Sequence, residues 1–374
     1  MGYRFHLLGL AHLPTNKNFR QCAYTMKVVK LASMLKKSGH TVFFYGCEGS
    51  EVECDEFIPV LTEAARVKCY GEYDMNKEFF KHDGKDAAHT EFNVNAAIEI
   101  RKRMYPTDFL LITMGNYQKP IADALQLHKT VESGIGYSGI FAKFRVFESY
   151  GWMQYMYGLT KQEDGSWYDA VIPNYYDPRD FPQGKQDGDY FLFVGRLIFR
   201  KGLDIAVQVT KRLGKKLIVA GQGSLQNPQE RLNITDPHVE HVGCVGPERR
   251  AVLMGGAIAT FVPTYYIEPF GGVAVESQLT GTPVLTSDWG VFPETCDHGV
   301  TGYRCRTMDD FLFGARNVAS LDHSYIRQRA ISNYGMEKVR KMYDEYWMKL
   351  ADIDKKGWYE EHPERTQLDW LEKF

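Results

Sequence analysis

The chain has 374 residues, too many for one ordinary hydrophobic core, so two domains of about 100 to 200 residues each are expected. Hydrophobic residues at 44% and charged residues at 25% are typical of a soluble globular protein. The formal net charge of −2 excludes a global basic field of the kind that attracts nucleic acid, although it leaves room for a local patch.

The cysteines and the start of the chain point to a cytoplasmic protein. The seven cysteines form no Cys-x-x-Cys pair and no Cys/His ligand cluster, so neither a zinc site nor a disulfide framework is predicted. The first ten residues contain only a short apolar run, interrupted by His6, which suits a buried strand better than a signal peptide. No apolar run is long enough to span a bilayer.

The N-terminal half predicts an α/β domain. Residues 5–10 read as a buried strand, residues 21–38 as a helix with an apolar face, and residues 41–45 as the next strand. Later apolar runs predict further strands at the following positions: 109–113, 130–131 and 170–174.

Several residues follow these strands directly. Because ligands of open parallel sheets bind at the carboxyl ends of strands, a cleft is expected to be lined by Gly9, His12, Gly115, Glu132 and Gly134. His12 is either a loop histidine bonded to backbone or a catalytic group, and Glu132 is either a turn-former or a ligand group.

Residues 141–157 mix aromatic and basic side chains, among them Lys143 and Arg145. Such a segment either packs in the core or stacks on bases or sugars.

A linker rich in Pro, Asp and Gly is predicted at residues 175–189, followed by a buried strand at 190–195. The strand leads into a loop that contains Arg196 and Lys201. Arg offers a planar fork of donors and Lys a point charge, which together suit a diphosphate.

A helix is predicted over residues 203–213, and the strand that follows, at 216–220, ends at Gly221 and Gly223. Three glycine-bearing turns in this half, at Gly195, at Gly221 and at Gly271, imply one shared cleft. We expect the base of a nucleotide to be recognised by backbone groups near residues 243–246.

The most informative stretch is Glu268-Pro-Phe-Gly-Gly-Val-Ala-Val-Glu276, which places two carboxylates around a glycine turn that opens a helix. The turn contains Phe270, Gly271, Gly272 and Val273. Glycines allow close approach of the backbone to a ligand, and the unpaired N–H groups of a helix start favour phosphate. A carboxylate in the first helical turns can bind a ribose diol, so the pattern predicts a sugar-nucleotide site.

Five motifs in order resemble the nucleotide-sugar-binding domain of the large retaining glycosyltransferase family numbered four (glycosyl transferases group 1), which has the GT-B fold. They are Val194-Gly-Arg196 with Lys201-Gly202, Gly221-Gln-Gly223, Glu268 to Glu276, Gly281-Thr-Pro283-Val284, and Gly290-Val-Phe-Pro-Glu294 with Gly299-Val-Thr-Gly302.

The resemblance implies an α/β fold with two Rossmann-like doubly wound domains that face a cleft, and C-terminal helices that cross back onto the N-terminal domain. The expected units are an acceptor domain, a linker, a nucleotide-sugar domain and terminal helices, at residues 1–174, 175–189, 190–334 and 335–374. Residues 335–349 have helical spacing, and Trp347, Trp358 and Trp370 are expected to make docking contacts.

The resemblance also implies site roles. Arg196 and Lys201 would neutralise the diphosphate, Glu276 would hold the ribose, and Glu268 would contact the transferred sugar. Gly221, Gly223 and the backbone from Phe270 to Val273 would complete the donor site. The catalytic set is therefore expected to be Glu268, Arg196 and Lys201.

Two features depart from the family pattern. Relatives often have paired glycines after the first strand, whereas this chain has Gly9-Leu-Ala-His12. Relatives also often have a histidine after the strand equivalent to residues 130–131, where this chain has Glu132. Phosphate contact by the first loop and a catalytic histidine are therefore not assigned.

The expected activity is a metal-independent, retaining transfer of a sugar from a UDP- or GDP-linked donor, with UDP favoured, to a hydroxyl of a saccharide, a lipid or another acceptor. No cofactor and no metal are expected. Two alternatives remain: the same chemistry on a hydroxymethylated base in DNA, prompted by Lys143 and Arg145, and a non-catalytic sugar-nucleotide-binding protein. Peripheral contact with a membrane stays open, although the acidic tail disfavours an anionic lipid surface.

Overall fold

The computed structural model describes residues 2–19, 22–72 and 81–353. These residues form two α/β domains, each built on a parallel sheet. The strands of the first domain are β1 (Arg4–Leu8), β2 (Thr41–Cys47), β3 (Glu56–Leu61), β4 (Phe109–Ile112), β5 (Lys129–Ile135), β6 (Phe144–Phe147) and β7 (Asp169–Val171). Its helices are α1 (Ala23–Lys37), α2 (Glu63–Tyr70), α3 (Ala87–Arg101), α4 (Lys119–Leu125) and α5 (Tyr150–Leu159).

The second domain continues this alternation. Its strands are β8 (Tyr190–Val194), β9 (Lys216–Ala220), β10 (Gln226–Asn227), β11 (Leu232–Asn233), β12 (Val239–His241), β13 (Thr260–Val262), β14 (Val284–Ser287) and β15 (Gly302–Cys305). The helices that follow the linker are α6 (Leu203–Leu213), α7 (Pro247–Gly256), α8 (Gly272–Leu279), α9 (Phe292–Thr295), α10 (Met308–Asn317), α11 (His323–Tyr334) and α12 (Met336–Ala351).

The order of the strands shows where each sheet is expected to bind a ligand. The first sheet runs β3-β2-β1-β4-β5-β6-β7, and the second runs β12-β9-β8-β13-β14-β15. The order therefore reverses between β1 and β4 in the first domain and between β8 and β13 in the second. Ligands of doubly wound sheets bind outside the carboxyl ends of the strands at such switch points. The predicted α/β fold with two Rossmann-like domains is confirmed.

The local patterns read from the sequence explain most of these elements. The predicted helix at residues 203–213 and the predicted strand at 216–220 match α6 and β9. β3 was missed, because it is a half-exposed edge strand that contains Pro59. β5 is longer than the two residues predicted for it, since polar Glu132 and Ser133 are buried within it.

The last described helix crosses back onto the first domain, as expected. Trp347 of α12 is fully buried, and its ring lies edge-on to Phe5 at 5.2 Å and to Phe109 at 5.7 Å between centroids. Trp358 and Trp370 lie outside the described residues. Within the part of the chain that the structure describes, no helix is long and apolar enough to cross a membrane.

Candidate functional site

The centre of the site is a buried ion pair at the switch point of the second sheet. Lys201 follows β8 and Glu268 follows β13, and Lys201 Nζ donates to Glu268 Oε1 over 2.6 Å. The side chains are 15% and 9% exposed. Burial alone would lower the pKa of Lys201, but the Glu268 carboxylate outweighs that effect and the pKa is raised. Lys201 therefore stays a cation at neutral pH.

Two further side chains, those of Tyr266 and Arg196, lie near the Lys201–Glu268 pair. Lys201 Nζ lies 5.1 Å from the centroid of the Tyr266 ring. Burial and the neighbouring Glu268 raise the pKa of Tyr266, while Lys201 and Arg196 oppose that shift. Arg196 is exposed in the loop after β8, within electrostatic reach of Tyr266. The sequence missed Tyr266, because an aromatic residue before Glu268 has no distinguishing signal.

The glycine turn after Glu268 adopts the geometry that the motif predicts. Gly271 has φ +67° and is the N-cap of α8, and its carbonyl accepts from Ala274 N over 2.9 Å. Few residues other than glycine adopt that φ without strain. The Phe270 side chain is buried, and its ring packs near Tyr176 and Tyr334. Only the backbone at Phe270 is therefore available to a ligand.

Gly221 allows the loops after β8 and β9 to touch. A Cβ on Gly221 would lie 1.8 Å from the carbonyl oxygen of Gly195, and one on Gly223 would lie 2.9 Å from Leu197 Cβ. Gly221 N donates to the carbonyl of Gly243 over 2.9 Å. The loop expected to recognise a base thus contacts Gly221 directly.

Glu276 is paired with a different cation from that of Glu268. It faces Arg250 of α7, with Oε2 2.8 Å from Arg250 Nε, although the two groups are not aligned as a hydrogen bond. Both line a cavity of ≈ 730 Å³ between the domains, together with Lys30 and Tyr176. Burial lowers the pKa of Lys30, and Glu276 opposes that shift. Sequence reasoning missed Arg250, which has no motif around it.

The expected cleft glycines of the first domain are packed against their own domain. A Cβ on Gly9 would meet the Phe44 ring at 2.8 Å, and one on Gly115 would meet the Tyr137 ring at 2.4 Å. The carbonyl of Gly134 accepts from Lys27 Nζ over 2.7 Å. These glycines serve close packing in this structure, and contact between them and a ligand stays a prediction.

Glu132 holds a loop of its own domain. It is fully buried, and its Oε2 accepts from Phe141 N at 2.9 Å and from Ala142 N at 2.8 Å, while Oε1 accepts from the Tyr137 hydroxyl at 3.2 Å. Burial raises the pKa of Glu132. Of the two interpretations of this residue, the geometry supports the turn-former.

His12 lies in a group of three histidines. Its ring stacks on that of His82 at 4.1 Å, and His89 completes the group with one ring nitrogen from each residue within 4.8 Å of the others. The group contains no cysteine, so the expectation that the seven cysteines form no Cys/His ligand cluster concerns other residues. The sequence separates His12 from the other two by about seventy residues, so no spacing motif could indicate the group.

The basic residues of segment 141–157 do not form an open patch. Arg145 makes two hydrogen bonds to the carboxylate of Asp169, at 2.7 and 2.6 Å. Lys143 Nζ lies 4.8 Å from the centroid of the Tyr168 ring. Trp152 and Met156 are buried in the core, while Tyr150 is 61% exposed. Core packing explains most of this segment.

Glu294, in the fifth of the ordered motifs, connects the domains. Its two carboxylate oxygens accept from Gly151 N at 2.7 Å and from Tyr150 N at 3.0 Å, at the start of α5. Ser149 Oγ donates to the carbonyl of Pro269 over 2.7 Å. The segment that follows Glu268 is therefore held against the first domain.

Residues 178–336 match the family model described as glycosyl transferases group 1. The second domain therefore resembles the glycosyl transferases group 1 family. Glycogen synthase of Mycobacterium tuberculosis is 34% identical over 146 residues, which are 37% of this chain and 35% of that protein. The chain thus spans about a third of the length of that relative.

Solved structures extend the likeness to both domains. Sucrose-phosphate synthase from Thermosynechococcus elongatus superposes with a TM-score of 0.66 at 16% identity, over 93% of this chain and 99% of that chain. The Anabaena protein HepE in complex with UDP and glucose gives 0.63 at 14% identity, over 91% and 98%. At these identities the likeness shows the fold alone, which is the two-domain GT-B fold.

Proposed function

We propose that the protein is a glycosyltransferase that moves a sugar from a nucleoside diphosphate to a hydroxyl acceptor. The observation that carries the proposal is the buried Lys201–Glu268 pair at the switch point of the second sheet. Arg196 lies in the same loop as Lys201, and Glu268 is three residues before Gly271, the N-cap of α8. Cations and a helix start suit a diphosphate, and a carboxylate beside them suits the hydroxyls of a sugar.

The chemistry follows from where charge develops. When the bond between the anomeric carbon and the phosphate oxygen breaks, negative charge grows on the diphosphate, and Arg196 and Lys201 stabilise it. The acceptor hydroxyl bonds to the anomeric carbon on the face that the phosphate leaves, and its proton passes to the departing phosphate oxygen. This course retains the anomeric configuration and requires no metal on the diphosphate.

Glu276 supplies the ribose contact in this proposal. A carboxylate accepts hydrogen bonds from both hydroxyls of a diol, and Arg250 lies beside that of Glu276. A UDP-linked donor is favoured, in line with a fold neighbour that was solved with UDP and glucose. The acceptor is a saccharide, a lipid or another hydroxyl compound bound by the first domain.

A panel of UDP-, GDP- and ADP-sugars tests the proposal. We expect one donor class to raise the melting temperature and to be hydrolysed slowly without acceptor, and Lys201→Ala to abolish the hydrolysis. Nuclear magnetic resonance of the released or transferred sugar gives the anomeric configuration. A protein that neither binds nor hydrolyses any donor would contradict the proposal.

The two alternatives predict different outcomes. Transfer to DNA with hydroxymethyl bases would show a steep salt dependence, but Arg145, which prompted that idea, is paired with Asp169. A non-catalytic protein would bind a donor without hydrolysis or transfer across a broad acceptor panel. Glu132 stands where relatives often have a histidine, and it is bonded to the backbone of Phe141 and Ala142. The non-catalytic alternative is tested for this reason.

A further inference from the structure

We propose that His12, His82 and His89 form a binding site for a divalent transition-metal ion, with Zn²⁺ as the preferred ion. The three residues converge at the carboxyl edge of the first sheet, where the strand order reverses. His12 lies in the loop after β1, and Tyr117, which follows β4, packs edge-on against His82 and His89 at 5.5 and 5.2 Å. The site goes beyond the proposed sugar transfer, whose donor-binding groups lie in the second domain.

The ligand atoms have suitable spacing. One ring nitrogen from each histidine lies within 4.8 Å of the others. Zinc binds imidazole nitrogen at ~2.0–2.1 Å, so the rings need to approach one another by roughly 1 Å to share one ion. Three imidazoles and an open fourth position for water or a substrate oxygen are a common zinc arrangement.

Two of the ring nitrogens are buried without a hydrogen-bond partner among the described residues. They are Nδ1 of His82 and Nε2 of His89. A buried polar atom without a partner is unfavourable, and a metal ion would relieve this at both atoms. Burial, helped by the neighbouring histidine rings, lowers the pKa of His12 and of His82.

Asp86 orients the His89 ring from the side away from the proposed ion. Its Oδ1 lies 3.0 Å from His89 Nδ1, and its Oδ2 accepts from the Tyr70 hydroxyl over 2.7 Å. A carboxylate on the far nitrogen fixes the tautomer that presents Nε2 to the ion. The neighbouring cation Arg66 is bonded twice to Glu63, which limits its repulsion of an ion.

The test uses the full chain without an affinity tag, stripped with a chelator and titrated with ZnCl₂ by calorimetry. We expect one Zn²⁺ per chain, a Zn²⁺-dependent rise in melting temperature, and a Co²⁺ visible spectrum of the tetrahedral type. His82→Gln is the first variant, because His82 is only half-buried and its loss leaves the core intact. It should abolish the binding, whereas His128→Gln, at an exposed histidine of the same domain, should leave it unchanged.

Asp86→Asn separates ligand orientation from folding. Asp86 is the N-cap of α3, and Asn is an equally good cap, so the helix is kept while the charge behind His89 is lost. The affinity for Zn²⁺ should fall ~10–100-fold. Wild-type protein that shows no Zn²⁺ binding, or binding that survives both His82→Gln and His89→Gln, overturns the proposal. Neither readout depends on sugar transfer.

Discussion

Lys201 and Glu268 come from loops 67 residues apart and share a hydrogen bond of 2.6 Å at the point where the second sheet reverses its strand order. Each charge is buried because the other is present, since a lone buried ion is strongly unfavourable. The pair keeps a cation and a carboxylate in fixed positions before a ligand arrives. Preorganised charge of this kind lowers a barrier more than charge that must be moved into place.

Removal of the Lys201 cation should lower the rate more than it changes donor affinity. We expect Lys201→Ala to reduce kcat by about 10²- to 10³-fold, as for loss of one charge-stabilising donor. Steady-state kinetics with the preferred donor give kcat and KM separately. Lys211→Ala is the matched control, because that lysine is 67% exposed and pairs with Asp236. An unchanged kcat in Lys201→Ala would exclude the proposed role.

Substitution of Glu276 should weaken binding of the nucleotide through loss of its hydrogen bonds to the ribose. We expect Glu276→Gln to weaken binding of the nucleoside diphosphate by about 10-fold or more, because hydrogen bonds to a charged group contribute ~1.5–3 kcal/mol. Calorimetry with the diphosphate and with its 2′,3′-dideoxy analogue checks the cause. The wild type should discriminate strongly between the two ligands and the variant weakly. Equal discrimination by both proteins would place the ribose elsewhere.

Two glycine substitutions should change stability in opposite directions. Gly221→Ala would place a Cβ 1.8 Å from a backbone carbonyl, so it should cost ~1–3 kcal/mol of unfolding free energy. Gly158→Ala lies in α5 with no atom within 4 Å of the new Cβ and should stabilise by ~0.5–1 kcal/mol. Urea unfolding measures both. A stable Gly221→Ala would mean that the loops after β8 and β9 separate easily.

The buried Glu132 should make stability depend on pH. Its raised pKa means that the folded protein keeps a proton which the unfolded chain releases near pH ~4.3. The stabilising contribution of Glu132 to the free energy of unfolding is therefore fully present below that pH, and it is lost as the pH rises through the raised pKa. Relative to Glu132→Gln, wild-type stability should fall over this window.

Urea midpoints measured across that pH range provide the comparison for Glu132. Glu163→Gln, at an exposed glutamate of the same domain, controls for the loss of one negative charge. Gln at position 132 can still accept from the backbone N–H groups of Phe141 and Ala142, so the variant should fold. A wild-type protein that becomes more stable relative to Glu132→Gln as the pH rises would contradict the raised pKa.

The sequence was a good guide wherever local pattern decides the outcome. The apolar periodicity of residues 203–213 and the glycine turn at Gly271 lead directly to α6 and to the start of α8. The ordered motifs also gave the fold, because they occur at fixed places in a βα repeat. Elements at a sheet edge, such as β3 with Pro59, have a weaker pattern.

Contacts between distant segments were the part that the sequence could not supply. Arg250 beside Glu276 and His82 beside His12 depend on how helices and loops pack, and no spacing rule covers them. Glu132 shows the same limit within one domain. A carboxylate after a strand is compatible with ligand binding or loop support, and only the observed bonds to Phe141 and Ala142 distinguish these.

The position of α12 has a consequence for biosynthesis. Trp347 fills the core of the first domain between Phe5 and Phe109, yet it is translated after the whole second domain. Domains that emerge first from the ribosome generally fold first. Before α12 emerges from the exit tunnel, the first domain therefore has an open apolar groove beside β1 and β4. Nascent chains that stop before residue 336 should therefore depend on chaperones that cover exposed hydrophobic surface.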